Sequence, residues 1–508
     1  MPAHGATPCI TSGMVVRLPP LRPLSRPQSG IIRSSTEASM NYDAEVIILG
    51  AGPGGYVAAI RAGQLAKQHG GTVICIEREF LGGTCLNWGC IPSKAMIAHA
   101  EAYQHVLHAD EMGIHVEGKV TYDFSKMQAR KDKIVQTLRN GIAMLFKKNG
   151  VQSVEGTGRL VDPHTIEVTK AGGTRQQIRG KHIILATGSR VMQLNIPGLQ
   201  GEHVWTSDDA VNAPFVPESI LILGAGAVGV EFGYVFNALG SKVTVVEMMP
   251  QILPTFDEEV AKEAERALSH QGIQFLTQST LKSAERVGDR WICHVETPKG
   301  IQSVEVQVVL IGVGRKPNVE GIGLETVGIQ RNKRWVAVDE SMRTSIPHIF
   351  AIGDITGIAP LAHVASAQGI VAAENCFGAE RRMDYRAVPN VVYTVPEVAG
   401  VGLTEKQARE QGYSVKIGKF PPRILGRAMA AGIKDGIVKV VAEAQYGQIL
   451  GVHLCVPHAS DLIQEAVLAI KLEATLDEMV DTLHPHPTLV ESLMEAFHDA
   501  AGHCTHKA

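Results

Sequence analysis

Two short stretches of this 508-residue chain carry residue types suited to chemistry. The first, LGGTCLNWGCIPSKAMIAHA, holds Cys85 and Cys90. A thiolate is both nucleophile and metal ligand, so such a pair can exchange disulfides or bind a cation. In a regular helix five residues rise about 7.5 Å, more than the roughly 4.4–6.8 Å between the Cα atoms of a disulfide. The stretch must therefore be looped or distorted for the sulfurs to meet. Gly89 permits a bend, and Pro92 suits the first turn of a following helix. Cys90, just ahead of that helix, gains thiolate character from the helix N-terminus. Spacing alone leaves open a metal site or two inert thiols, although the gap lies at the edge of zinc spacing and no second ligand pair is nearby. The glycine-rich unit upstream favours a redox-active pair. Cys9, Cys75, Cys293, Cys376, Cys455 and Cys504 are scattered and read as ordinary reduced thiols.

The second stretch, LHPHPTLVESLMEAF, contains His484, His486 and Glu491. An imidazole with a carboxylate on the next element is the base-and-orienter arrangement of acid–base catalysis. Pro485 and Pro487 stiffen the backbone, and Thr488 is expected to cap a helix carrying Glu491. With 20 histidines in the chain, any one is more often surface or packing than catalytic, so His486 stands out only through these neighbours. The tail residues His498, His503, Cys504 and His506 suggest a metal at first sight, but a solvated, frayed end is the expectation. No metal is assigned.

The elements that must position these groups are legible upstream. EVIILGAGPGGYVAAIRAGQLAKQHGGTVICIE reads as strand, glycine turn, helix and strand, with Gly50, Gly52 and Gly55 in the turn and Glu77 closing the second strand. The first glycine allows the tight turn, the second lets the backbone approach a pyrophosphate, and the third packs helix on strand. The acid can accept hydrogen bonds from a ribose. SILILGAGAVGVEFGYVFNALGSKVTVVE repeats the unit with Gly224, Gly226, Gly229 and Glu247. An acid there favours a free 2′-hydroxyl, and the following MMPQILP offers no arginine to a 2′-phosphate, so NAD is favoured over NADP. Two such sites in order are a strong signal where one glycine triplet is weak. IILATGS (183–189) and HIFAIGD (348–354) add apolar strands that run into glycine, where backbone could lie against a ligand.

Composition bounds the rest. Length implies roughly three to four domains. Apolar residues at 45% and charged ones at 19% supply large cores and exclude a disordered chain. A net charge of −3 advertises neither nucleic acid nor an anionic membrane. Eight cysteines are too few for a disulfide scaffold. The expectation is a protein without nucleic-acid or membrane partners. Residues 1–39 stand apart, with Arg17, Arg22, Arg26 and Arg33 against the single acid Glu37. They resemble a transit peptide in composition, but Pro19, Pro20, Pro23 and Pro27 would interrupt its helix. The favoured reading is an extension that is disordered or absent from the mature protein, with Met40 as working start. Localisation is then cytoplasmic; a transit peptide would instead place the protein in the mitochondrial matrix.

From Asn41 to about Asp499 the motifs and their order resemble the two-dinucleotide flavoprotein disulfide reductases, most closely the dihydrolipoamide dehydrogenase branch. GAGPGGY resembles the FAD fingerprint of that family, GGTCLNWGCIPSK its redox-disulfide motif and GAGAVGVE its NAD fingerprint. GVGRKPN, FAIGD followed by LAH, and HPHPTLVE complete the set. The resemblance implies FAD on Gly50, Gly52, Gly55, Glu77, Gly83, Thr84, Lys94, Gly158, Thr187, Gly188, Ser189, Asp354, Leu361, Ala362 and His363. It places NAD on Gly224, Gly226, Gly229, Glu247 and Gly314. Cys90 would be the flavin-facing thiolate of a charge-transfer complex and Cys85 the thiol that exchanges with substrate. Lys94 would pair with Glu231 beside the flavin. His486, oriented by Glu491, would deprotonate dihydrolipoamide in the active site of the partner subunit, which implies an obligate homodimer. The implied activity is oxidation of protein-bound dihydrolipoamide with reduction of NAD. The implied partners are the lipoyl domains and acyltransferase core of a 2-oxo acid dehydrogenase complex. Val364 and Gln368 depart from the lysine and glutamate of many relatives, which bears on packing near the flavin tail.

Three rivals lose ground on particular residues. A glutathione reductase would want arginines where Met248 and Met249 stand. A mercuric reductase would want a vicinal cysteine pair at the C-terminus, where only Cys504 is found. A purely structural flavoprotein needs no Cys85, Cys90 and His486 together. The expected architecture is α/β: two Rossmann-like domains binding FAD and NAD(P), followed by a C-terminal α/β dimerisation domain. Motif order predicts an interrupted FAD domain (40–189 and 318–385), an NAD domain (190–317) between its parts and a dimerisation domain (386–508).

Overall fold

The apolar runs that open each glycine turn are buried on both faces, as strands of a parallel sheet must be. In the computed structural model, which describes residues 41–507, Val46, Ile47 and Ile48 are fully buried in the strand Ala44–Leu49. That strand lies between Val73–Glu77 and the strand Arg175–Leu185, parallel to both. Val151–Glu155 extends the sheet beyond Val73–Glu77, and Ile349–Ala351 pairs parallel with the C-terminal half of Arg175–Leu185. The N-terminal half of that long strand turns instead into an antiparallel ladder with Thr165–Thr169 and Thr157–Asp162. Residues 349–351 thus return to a sheet begun three hundred residues earlier, after the second nucleotide unit has been laid down. The proposed extension, residues 1–39, lies outside the described residues.

The second unit is a five-stranded parallel sheet in the order Gln274–Leu276, Lys242–Val246, Ser219–Leu223, Val308–Ile311 and Val204–Thr206. A three-stranded antiparallel sheet, Thr280–Val287, Arg290–Thr297 and Gly300–Val306, lies beside it with Trp291 fully buried. The C-terminal unit is a five-stranded antiparallel sheet running Asn390–Val392, Glu397–Gly402, Ile449–Val456, Ile437–Glu443 and Val415–Phe420. The helices Ala459–Lys471 and Glu491–Ala501 cover it, and Phe420, Leu454, Leu493 and Phe497 meet in its core.

A buried ion cluster joins the second and third units. Lys439, on a central strand of the C-terminal sheet, is 2% exposed and lies 3.0 Å from Asp257, 2.6 Å from Glu259 and 2.9 Å from Glu405. Asp257 and Glu259 begin the helix Glu258–His270 of the second unit, and Glu405 begins a short helix of the third. An ammonium so far from water is tolerated only because carboxylates surround it. Among the described residues no helix is long and apolar enough to cross a membrane.

Candidate active site

The thiol segment adopts the distortion that the spacing demanded. Cys85 lies in the short helix Gly83–Asn87, and Cys90 is the first residue of the 18-residue helix Cys90–Leu107. Gly89 joins them with φ −126°, so the need for glycine there comes from crowding and not from a left-handed turn. A Cβ on Gly89 would lie 3.1 Å from the Thr84 carbonyl oxygen and 3.3 Å from the Cys85 Cα. That close return brings the two thiols near enough to influence each other's titration. Contact with Cys85, assisted by Lys94 and opposed by burial, pulls the Cys90 thiol below its ordinary value. The same contact, together with burial, pushes Cys85 up. The pair is thus polarised, with thiolate character favoured on Cys90 and disfavoured on Cys85.

Lys94, one turn into the same helix, donates to Glu231 at 3.0 and 2.8 Å. Glu231 is 6% exposed and belongs to the helix Ala227–Ala238 that follows the second glycine turn. Tyr393, just past the first strand of the C-terminal sheet, donates its backbone N–H to Glu231 at 3.1 Å, and its ring lies 4.3 Å from the Lys94 ammonium. One ion pair therefore collects elements from all three units beside the thiols. Tyr393 has no sequence signal, since its partners are 162 positions or more away.

The two glycine turns are built alike. Glu77 accepts from the Ala51 N–H at 2.6 Å and Glu247 from the Ala225 N–H at 2.7 Å. Each carboxylate also takes an amide beyond its own strand, Arg78 or Met249, at 2.9 Å. Gly50 and Gly224 have φ +104° and +95°, a conformation natural only to glycine. At Gly55 and Gly229 a Cβ would meet the carbonyl oxygen of Gly50 or Gly224 at 1.9 Å, which is the close helix–strand packing expected of the third glycine. The cradles differ above the turn. A Cβ on Gly83 would stand 2.6 Å from the Gly52 Cα, so the thiol segment is laid across the first turn. At Gly226 nothing comes within 4 Å. Exposed Met248 and Met249 follow Glu247.

Other residues proposed from sequence gather between these cradles. Ser189 donates to Asp354 at 2.5 Å and accepts from Arg315 at 2.8 Å, while Arg315 also reaches the Thr84 hydroxyl at 3.3 Å. Arg315, inside GVGRKPN but not singled out there, is the clamp linking the thiol segment to the Ser189–Asp354 corner. Thr187 donates to the Asn318 carbonyl at 2.8 Å, and the Asn318 amide returns a bond of 2.9 Å to the Thr187 carbonyl. Gly188 and Gly314 face open space. Gly158 does not: a Cβ there would strike Leu49 at 2.6 Å, so packing accounts for this glycine. Leu361 and Ala362 begin the helix Ala362–Cys376, and His363 contacts the Pro389 carbonyl oxygen at 3.0 Å. Gln368 is fully buried, accepting from the Gly353 N–H at 2.7 Å and donating to the Tyr385 hydroxyl at 2.9 Å; it fixes the turn that carries Asp354.

His486 Nδ1 lies 2.8 Å from Glu491, with the imidazole exposed and the carboxylate largely covered. Thr488 does not cap the helix with its hydroxyl, as expected from sequence, because that hydroxyl donates to the Pro485 carbonyl at 2.7 Å. Its backbone N–H instead donates to Glu491 at 2.8 Å, which fixes the carboxylate that fixes the histidine. Burial pushes the Glu491 carboxyl up, but the bonds from His486 and Thr488 outweigh it and hold it below its ordinary value. Among the described residues no hydrogen bond within the chain joins His486 to either thiol. The tail also corrects expectation: Cys504 and His506 are not frayed but bonded to Glu495 at 2.9 and 2.6 Å. Cys75, Cys293, Cys376 and Cys455 are buried and unpaired.

A polarised thiol pair lying against one dinucleotide cradle and ion-paired to the helix of a second defines a two-nucleotide disulfide oxidoreductase. Residues 44–369 match the pyridine nucleotide-disulphide oxidoreductase family and residues 388–497 its dimerisation domain. The chain belongs to that family. The dihydrolipoyl dehydrogenase of Bacillus subtilis is 42% identical over 480 residues, covering 92% of this chain and all of that protein. That of Zymomonas mobilis is 39% identical over 465 residues, covering 91% and 99%. Among solved structures, LpdA from Mycobacterium tuberculosis superposes with a TM-score of 0.82 at 29% identity, covering 89% of this chain and 98% of the other. The HOCl-induced flavoprotein disulfide reductase RclA of Escherichia coli gives 0.78 at 26%, covering 89% and 99%.

Proposed function

We propose that this chain oxidises the dithiol of dihydrolipoamide to lipoamide and reduces NAD, as a dihydrolipoyl dehydrogenase using FAD. The observation that carries this reading is the convergence of Cys90, Lys94, Glu231 and Tyr393, which puts the thiol pair beside the helix of the second nucleotide site. The first cradle fits FAD: backbone amides line its turn, and the Gly52–Gly83 approach leaves no room for side chains. Gly50, Gly52, Gly55, Glu77, Gly83, Thr84 and Asp354 would hold it. The second fits NAD, because Glu247 would accept from a ribose and methionines stand where a 2′-phosphate would need cations.

In the proposed reaction His486 acts first. Glu491 holds Nδ1, which leaves Nε2 to take a proton from the substrate dithiol. The resulting thiolate attacks Cys85 Sγ of the oxidised pair, forming a mixed disulfide and releasing Cys90 as thiolate. As the second substrate thiol displaces Cys85, its proton passes to the leaving Cys85 sulfur, and the first proton stays on the His486 imidazolium, balancing the charge of the Cys90 thiolate. Lys94 stabilises the Cys90 thiolate throughout. FAD, when bound, supplies the two-electron acceptor between the dithiol and NAD. Exposed His486 and the lack of an intrachain bond to the thiols support a site completed by His486 of a second copy, as the dimerisation domain suggests. The same resemblance supports lipoyl domains, and the core that bears them, as partners. The sheet connections support a first domain formed by 40–189 and 318–385, with 190–317 between and 386–508 following. Steady-state rates settle the reading. Dihydrolipoamide with NAD should turn over and glutathione disulfide with NADPH should not; the opposite preference would overturn it.

A further inference from the structure

The family's dimerisation domain ends at residue 497, yet the chain beyond it is ordered against the helix that carries Glu491. The anchor is Glu495, one helical turn after Glu491 and 1% exposed. A carboxylate so buried requires donors, and the tail supplies them. His506 Nδ1 lies 2.6 Å away, the Cys504 thiol donates at 2.9 Å and the Thr505 hydroxyl at 3.4 Å. Lys507 pairs with Asp499 at 2.8 Å on the next turn, and His503 meets His498 at 3.1 Å. Five successive tail residues thus contact three acidic or imidazole groups of one helix.

We propose that this tail, His503–Lys507, is a positioning element for the His486–Glu491 pair and that His506 is its charged member. The proposal rests on the dehydrogenase reading, in which His486 is the base. Glu491 and Glu495 lie at i and i+4, so their side chains share a helix face. Each carries a histidine: His486 on Glu491 and His506 on Glu495. Without His506, Glu495 would set an uncompensated negative charge one turn from the catalytic carboxylate. With it, the second pair is close to neutral while His506 is protonated, and the bond to Glu495 raises the pH to which it stays so. Of the other titratable groups on these elements, His484 is paired with Glu465 at 3.0 Å, Asp499 with Lys507 and the Lys419 backbone N–H at 2.7 Å, and His498 and His503 bond each other at 3.1 Å. His506 is therefore the group whose loss changes the field at the base.

The sign follows. Removing the cation leaves net negative charge near His486 and favours its protonated, inactive form. Removing Glu495 does the opposite. The test is the pH dependence of kcat/KM for dihydrolipoamide in the full-length, flavin-loaded enzyme. His506→Gln is expected to move the acid limb to higher pH and to lower the rate at pH 6 by about three- to tenfold, with a smaller change on the alkaline side, where less of the wild-type His506 is protonated. Glu495→Gln is expected to move the limb the other way. His506→Lys, which keeps a cation, should restore the wild-type limb. NADH oxidation by an artificial acceptor, which bypasses the dithiol, should not change in any of them. Limbs that stay in place, or that move the same way in both Gln variants, overturn the positioning role. So does a rate loss equal at every pH. Failure of the wild-type enzyme to use dihydrolipoamide at all would overturn the functional reading instead.

Discussion

The two nucleotide units begin from nearly the same local geometry and end as different kinds of site. In both, a terminal glutamate accepts from the amide after the first glycine at 2.6 or 2.7 Å. In the first unit the chain then folds back on itself, and Gly83 presses on Gly52. In the second, Gly226 is left uncovered. A cradle roofed by the chain's own backbone suits a cofactor that stays through many turnovers. An open one suits a nucleotide that must arrive and leave each cycle. The second unit is tied to the C-terminal sheet by the buried Lys439 cluster.

Substitutions at matched positions can break this comparison. Gly83→Val is expected to have the largest effect, because the new side chain would meet backbone at 2.6 Å in a left-handed conformation. The purified protein should lack flavin absorbance; normal flavin content would refute the roofed cradle. His486→Gln should keep flavin and dimer but lower dihydrolipoamide turnover by roughly 10²–10⁴-fold, placing the base outside both cradles; near-normal turnover would remove it as base. Glu247→Arg should shift the NAD to NADP preference by roughly tenfold or more while flavin content stays constant, and an unchanged ratio would move the ribose contact elsewhere. Gly226→Ala, which adds a Cβ where the pyrophosphate would approach, should raise KM for NAD while flavin content stays constant; an unchanged KM would remove the second cradle as the nucleotide site.

The anchoring cluster gives a pH test of the same contrast. Burial pushes the Glu259 and Glu405 carboxyls up, but hydrogen bonds from Lys439, Lys419 and Arg409 outweigh it and hold both below their ordinary values. Carboxyls depressed in the folded state contribute stability above their unfolded values and lose it as pH falls through the folded ones. Melting followed by nucleotide-domain and flavin signals should therefore separate on acidification below about pH 4.5, with the second unit loosening first. Coincident transitions would show that the cluster is not what holds it.

What sequence revealed depended on range. Both glycine triplets, Glu77 and Glu247, Cys85 with Cys90, and His486 with Glu491 stand within a few residues or one strand–helix–strand unit of each other, so local spacing exposes them. Arg315 reaches Thr84 across 231 positions, Gln368 supports Gly353 from inside a helix, and Lys439 meets Asp257 across 182. Nothing local announces such contacts. The tail was misread for a related reason: HCTHK has the composition of a solvated end, and what orders it is Glu495. Glu495 shares its helix face with Glu491, Ser492, His498 and Asp499, so no apolar pattern in the sequence warned that this acid is buried.

The Lys94–Glu231 bond has an electrostatic consequence. Lys94 serves two anions, the Glu231 carboxylate always and the Cys90 thiolate only when the pair is reduced. The charge of the thiol pair and the helix above the second cradle therefore share one cation, so the electrostatics of the two sulfurs and of the NAD site are tied through a single side chain.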